Sequence, residues 1–128
     1  MLRRQTNFNP RVPSGMIAHT SKGYFYVKGD KRFRFISDRA RESWNLRVIE
    51  TTELAMTSCK IVGVVGFRDG SLIRDISTNK IYLIVDNKRS LVVDPDDLKA
   101  LGFKKHDIVL VSKKEADYQK EGEHLNAR

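Results

Sequence analysis

The chain is poor in the residues that would tie it to a secreted or metal-bound scaffold. Its 128 residues include one cysteine, Cys59, so no internal disulfide can form. The three histidines are scattered, and no group of Cys and His has the spacing of metal ligands. We therefore expect neither a disulfide framework nor a metal site, and Cys59 is expected to be a small buried apolar residue.

Long apolar runs are also lacking. No stretch approaches the roughly 20 apolar residues of a transmembrane helix. Met1 to Gly15 has no apolar core of a signal peptide. These absences predict a soluble protein that is made in the cytoplasm and has no membrane partner.

Signatures of catalysis are lacking as well. No Ser or Cys stands in a G-x-S-x-G setting, and Gly63, Gly66 and Gly70 match neither G-x-G-x-x-G nor a phosphate-binding loop. The acidic residues at 94–97 are better explained as a helix N-cap and first turn, where negative charge is favourable, than as a metal or acid/base cluster. We expect no enzyme activity and no cofactor.

Positive charge is abundant and is concentrated at one end. The formal net charge is +8; residues 1–47 carry 11 Lys or Arg against 3 Asp or Glu, whereas residues 48–128 carry 13 of each. Met1 to Pro13 is polar, contains two prolines and has no periodicity. It is predicted to be an extended basic arm that needs a partner to become ordered.

The chain also contains an internal repeat. The stretch Arg68 to Val93 recurs upstream, in altered form, as Pro13 to Ile36. A spacing of 57 aligns Arg32 with Arg89 and Trp44 with Leu101. Each copy predicts a short strand, a β-hairpin, a capped helix, a strand and a last helix, which is weaker in the first copy.

These patterns predict an α+β fold of two tandem ββ-hairpin–helix–strand–helix repeats, packed into one compact body with an extended basic N-terminal arm. The predicted segments are the arm (1–12), repeat 1 (13–63), a connecting strand (64–67), repeat 2 (68–122) and a C-terminal tail (123–128). The glycine-interrupted apolar stretch Lys60 to Arg68 is expected to be a strand that joins the two repeats into one sheet.

Alternation along the first hairpin sorts its side chains onto two faces. Tyr24, Tyr26, Phe33 and Phe35 share the face that we expect to form the core, with Trp44 buried where the first helix meets the hairpin. Both faces of the second hairpin are largely apolar, which predicts that it is covered on both sides.

The other face of the first hairpin is basic and predicts a binding surface. Its arginines could neutralise phosphates, and an exposed Phe25 could stack on a base. An acidic protein surface or plain solvent exposure would explain the same charge pattern. The candidate partner- or phosphate-binding residues of this basic face are Phe25, Lys28, Lys31, Arg32, Arg34 and Arg89. The candidate partner-binding residues of the arm are Arg3, Arg4, Phe8 and Arg11.

Four segments of the second repeat carry a resemblance: G-x-L-I-R at 70–74, K-I-Y-L-I-V-D-N-K-R at 80–89, D-P-D-D-L-x-x-L-G-F at 94–103 and D-I-V-x-V-S at 107–112. Together they resemble a short repeat of bacterial cell-wall-associated proteins and of tailed-bacteriophage structural proteins. The resemblance covers residues 68–122 well and residues 13–63 loosely. It implies a non-catalytic scaffold or binding module.

The absence of a signal peptide, together with the basic arm, favours the bacteriophage side of this resemblance. The expected function is that of a virion component, such as a neck, tail or baseplate subunit, that is assembled in the host cytoplasm. The expected partners are other virion structural proteins, in a homo- or hetero-oligomer. The alternative is a nucleic-acid-binding protein that uses the basic face of repeat 1.

Overall fold

The computed structural model describes residues 11–127 of the chain. In chain order its elements are β1 (Ile17–Thr20), β2 (Gly23–Lys28), β3 (Lys31–Phe35), α1 (Asp38–Trp44), β4 (Val48–Glu50), β5 (Lys60–Val65), β6 (Leu72–Asp75), β7 (Ile81–Val85), β8 (Lys88–Leu91), α2 (Pro95–Ala100), a 3-10 helix (Lys105–Asp107), β9 (Ile108–Val111) and α3 (Lys113–Tyr118). The fold class is α+β, as predicted. Among the described residues, no helix is long and apolar enough to cross a membrane.

The chain divides into two units, and each contains one sheet. The first unit comprises the described residues up to 35 together with Asn45–Val65, and the second comprises Ile36–Trp44 together with residues 66–127. The prediction that the connecting strand joins the repeats into one sheet is wrong, because β5 pairs in parallel with β3 of the first sheet. Helix α1 is encoded in the first repeat but belongs to the second unit, so the units and the sequence repeats have different boundaries.

The two sheets share one connectivity. The first has the strand order β4-β1-β2-β3-β5, and the second, read from the corresponding edge, has the order β9-β6-β7-β8. The pairs β1–β4 and β6–β9 are both parallel, and both hairpins are antiparallel. Beside β8, Glu121 forms a parallel bridge with Arg89 at the place that β5 occupies beside β3. The repeat in the sequence thus corresponds to the same order and direction of strands in both sheets.

Both hairpin turns use left-handed backbone conformations. Gly29 has a φ of 63°, and Asp86 and Asn87 have φ values of 51° and 61°. Tight two-residue turns require such angles, and Gly, Asp and Asn tolerate them best. Lys28 pairs with Lys31 across the first turn, which is the predicted register.

The buried face of the first hairpin is the reverse of the predicted one. Phe25 is 0% exposed, and Val27 packs with Ala18, Met56 and Cys59 in the core of the first unit. The four aromatic residues predicted as core, Tyr24, Tyr26, Phe33 and Phe35, are half-buried. The turns that precede β5 place Met56 and Cys59 in the cluster of Val27, and alternation alone could not reveal this cover.

The second hairpin is covered on both sides, as predicted. On one side Tyr82 and Ile84 pack with Ala40 of α1. On the other side Leu83 packs with Leu98 of α2. A strand pair buried on both faces loses the hydrophobic-polar alternation of a half-exposed sheet, which explains its continuous apolar sequence.

The helix boundaries follow the predicted capping residues. The Ser37 hydroxyl accepts a hydrogen bond from the Ala40 amide at 3.1 Å, and Asp94 accepts one from the Asp96 amide at 2.9 Å. Ser112 and Glu115 form the predicted capping box at the start of α3. The weaker last helix of the first repeat is replaced by turns over residues 53–58. This segment is bracketed by Thr and Ser, which favour turns over helix interiors.

Candidate functional site

The basic face predicted on the first hairpin is divided between the interior and the surface. Phe25 is fully buried and Arg32 is 5% exposed, whereas Lys28, Lys31 and Arg34 are exposed. Phe25 is therefore not available to stack on a base, and Arg32 is not available to hold a phosphate. The prediction that Phe25 and Arg32 belong to a partner-binding surface is wrong, because the chain itself covers both side chains.

Arg32 is held by contacts inside the first unit. Its Nη1 and Nη2 donate to the two carboxylate oxygens of Glu53 at 2.7 and 2.8 Å, and its Nε donates to the Cys59 carbonyl at 2.8 Å. Its guanidinium lies over the Phe25 ring, 4.6 Å from the centroid. Such a two-pronged pair fixes both side chains in orientation as well as in distance.

The same contacts set the ionisation of Glu53. The Arg32 hydrogen bonds lower the pKa of the Glu53 carboxyl from 4.5 to about 2, with a further contribution from the Thr20 hydroxyl. The hydrogen bonds that Arg32 donates to Glu53 raise the pKa of Arg32 in turn. The pair therefore stays charged over the whole neutral range and closes the turn segment onto the sheet.

Arg89 has the corresponding place in the second unit. Its Nη1 donates to the carbonyls of Ala116 and Gln119 at 3.2 and 2.8 Å, and its guanidinium lies 5.4 Å from the Tyr82 ring centroid. A spacing of 57 relates Tyr82 to Phe25 just as it relates Arg89 to Arg32. Arg89, predicted as partner-binding, is thus an anchor for the segment that follows β9.

The arm lies largely outside the described part of the chain. Arg3, Arg4 and Phe8 fall outside the described residues, and the one described candidate of the arm, Arg11, is exposed. The exposed cations that remain from the two predicted sets are Lys28, Lys31, Arg34 and Arg11. Of these four, Arg34 lies beside the buried pair, with its guanidinium 5.0 Å from the Phe25 ring centroid.

No cluster of three or more His, Cys, Asp or Glu side chains that could hold a metal occurs among residues 11–127. Burial raises the pKa of the Cys59 thiol, which disfavours the reactive thiolate. His19 stacks on Tyr24 with ring centroids 4.0 Å apart and bonds the Glu50 carboxylate at 2.8 Å.

Sequence reasoning missed two surface features of the second unit. The first is apolar: Val93 and Leu101, which flank α2, are 64% and 48% exposed. The spacing of 57 could have drawn attention to them, since it aligns them with Ile36 and Trp44. We call these two residues, one before and one after α2, the α2 patch.

The second feature is a groove of about 330 Å³ beside α2, which we call the basic-rimmed groove. Its apolar floor is formed by Ile81, Leu98, Phe103 and Ile108. Its rim is formed by Arg74, Lys99, Lys104 and Lys105, and no acidic residue lines it. The four cations are spread over 32 positions of a half-chain with no net charge, so counting charges along the sequence does not reveal them.

No protein-family model matches the chain, and neither the search of curated proteins nor that of solved structures finds a match. The resemblance of residues 68–122 to bacteriophage and cell-wall repeats therefore stays a prediction.

Proposed function

We propose that this protein is a non-enzymatic assembly module that docks on a second copy of its own chain through the α2 patch. The observation that carries the proposal is the contrast between two equivalent segments. In the first repeat, the segment that follows the hairpin is packed inside the second unit. In the second repeat, the equivalent segment leaves its outward apolar side chains in water.

In the first repeat, the apolar residues of this segment contact the rest of the second unit. Ile36 packs against the cluster that contains Ala40 and Ile73, and the Trp44 indole Nε1 donates to the Gly66 carbonyl at 2.9 Å. Their equivalents, Val93 and Leu101, are the exposed residues of the α2 patch. Full burial of a Val or Leu side chain contributes about 1.5–3 kcal/mol, so covering the patch would be favourable.

A second copy of the chain can cover the α2 patch without any other protein. Each copy carries the same patch, and self-complementary contacts about a two-fold axis are the commonest form of oligomer. The charges on α2 suit an antiparallel contact, because Asp96 lies in its first turn and Lys99 in its last. Antiparallel packing of two such helices would place opposite charges next to each other.

The finer proposal is that this assembly belongs to a virion, as a neck, tail or baseplate subunit. The resemblance of residues 68–122 and the basic N-terminal sequence support it. A mass-spectrometric inventory of purified particles from a host that carries this sequence tests it. Consistent presence of the chain in stoichiometric amounts is the expected result, and its absence from every particle preparation would remove the virion proposal.

Size-exclusion chromatography with light scattering tests the docking surface. The full-length chain should show a mass above that of the monomer at high concentration, and the paired substitutions Val93→Ser and Leu101→Ser should return it to the monomer mass. Ile76→Ser is the matched control, because Ile76 is another exposed apolar residue of the second unit. Equal effects of the control and the paired variant would overturn the α2 patch as the docking surface.

A further inference from the structure

The basic-rimmed groove is built for a ligand that is both acidic and apolar. Its floor buries aliphatic and aromatic carbon, while four cationic side chains surround it without an acidic neighbour in the lining. None of Arg74, Lys99, Lys104 and Lys105 forms an ion pair with another described residue. Asp107 lies two residues after Lys105, and its Oδ2 accepts a hydrogen bond from the Lys104 amide at 2.8 Å.

One rim atom lacks a partner inside the described chain. The Nε of Arg74 is buried and makes no hydrogen bond. A buried donor of a charged group without an acceptor is costly, since it has lost water without replacement. A carboxylate paired with the Arg74 guanidinium would offset part of that cost.

The groove adjoins an open strand edge. β9 is the edge strand of its sheet, and no described strand pairs with its outer side. Its four residues are apolar, without the charge, proline or bulge that commonly protects an edge. Ile108 lies in the groove, and Leu110, which is 54% exposed, follows on the same face of the strand.

We propose that this edge and the groove together bind an extended peptide segment of a partner protein, with an apolar side chain flanked by Asp or Glu. The peptide adds a strand to β9 through main-chain hydrogen bonds, which is a common mode of peptide recognition. Alternate side chains then point to the side of Ile108 and Leu110, where one apolar group enters the groove. The flanking carboxylates meet the cations of the rim.

Fluorescence anisotropy with three labelled peptides tests this inference on the full-length protein. The probe has a leucine-valine-leucine centre with two glutamates on each side. One control peptide keeps the centre and replaces the glutamates by lysines, and the other keeps the glutamates and has a serine centre. The probe should bind in about 0.15 M salt, where long-range attraction is screened, and both controls should bind at least about tenfold more weakly.

Two charge-reversed variants localise the binding. The double variant Lys104→Glu, Lys105→Glu should bind the probe about tenfold more weakly or worse, because like charges now face the carboxylates of the peptide. Lys28→Glu with Lys31→Glu makes the same change in net charge on exposed residues of the first unit and should leave binding within about twofold, since its effect is screened. Equal losses in both variants would show non-specific attraction and overturn the site.

Amide chemical shifts separate strand addition from other binding modes. The probe should perturb the amides of β9 (Ile108–Val111) more than those of β4, the corresponding edge strand of the first sheet. Absence of probe binding, or perturbation confined to other strands, would overturn the inference.

Tighter binding of a single-stranded oligonucleotide than of the probe, lost in the Lys104 and Lys105 variant, would assign the groove to nucleic acid instead. The Val93→Ser and Leu101→Ser protein should bind the probe normally, which keeps this test separate from that of the α2 patch.

Discussion

Arg32 and Arg89 hold equivalent positions in the two sheets, and each binds the main chain of the segment that returns after the parallel edge strand. Arg32 donates to the Cys59 carbonyl, and Arg89 donates to that of Gln119. Each guanidinium also lies over an aromatic ring of the neighbouring strand. The basic residues that align best between the repeats are therefore fold-determining anchors, and the positions free to contact partners lie elsewhere.

Removal of Glu53 should destabilise the first unit strongly. Glu53→Ala leaves the nearly buried Arg32 without its carboxylate, and breaking such a pair typically costs about 3–5 kcal/mol. Urea unfolding measures the loss. Lys31→Ala is the control, because its exposed side chain should contribute within about 0.5 kcal/mol. A loss below about 1 kcal/mol for Glu53→Ala would show that the pair does not hold the turn segment.

The same pair predicts a pH dependence. The pKa of Glu53 is lowered in the folded protein from 4.5 to about 2, so its contribution is complete above about pH 5 and is lost as the pH falls toward 2. Its size should be roughly 2 kcal/mol after allowance for a side chain that is a quarter exposed. The difference in unfolding free energy between the native protein and Glu53→Gln should shrink between pH 5 and pH 2. A difference that stays constant over this range would contradict the account.

Gly66 should not tolerate a side chain. A Cβ atom there would lie 2.8 Å from Gln119, whose amide group bonds both the amide and the carbonyl of Phe67 at 3.1 and 2.9 Å. Gly66→Ala should cost about 1–3 kcal/mol, as for other overpacked positions. The shortest contacts are with the Gln119 side chain, and the Tyr118 ring would lie 3.0 Å away, so part of the cost should be relieved in a Gln119→Ala background. Strictly additive losses in the double-mutant cycle would refute this contact.

Trp44 should contribute less than a fully buried tryptophan. It is half-buried in the second unit and donates one hydrogen bond to the Gly66 carbonyl. Trp44→Phe should cost about 1 kcal/mol, the net value of that bond. Trp44→Ala should cost less than the 3–5 kcal/mol of fully buried large-to-small changes. Thermal unfolding followed by circular dichroism measures both, and a Trp44→Phe loss equal to that of Trp44→Ala would mean that the ring contributes no packing.

The elements of the fold follow from local signals in the sequence. The turn residues at 29–30 and 86–87, the caps Ser37, Asp94 and Ser112, and the spacing of 57 predict hairpins, helix starts and a repeated topology. The turn and cap residues act within a few residues of their effects, because turn and capping preferences depend on local backbone conformation.

The burial pattern and the surfaces were not predictable in the same way. Which face of the first hairpin is buried depends on the turns that carry Met56 and Cys59, and these lie some 30 positions away. Helix α1 packs in a unit that its own hairpin does not belong to. The basic-rimmed groove gathers Arg74 with Lys104 through the fold alone. Tertiary contacts determine these features, and the hydrophobic periodicity of the sequence does not predict them.

Sedimentation equilibrium of the unmodified full-length chain tests the central claim, self-assembly through the α2 patch, most directly. Over a concentration series at about 0.15 M salt, the account predicts a weight-average mass that rises from that of the monomer toward at least twice that value. The rise should disappear in the Val93→Ser and Leu101→Ser protein. A mass that stays at the monomer value at every concentration would contradict the claim.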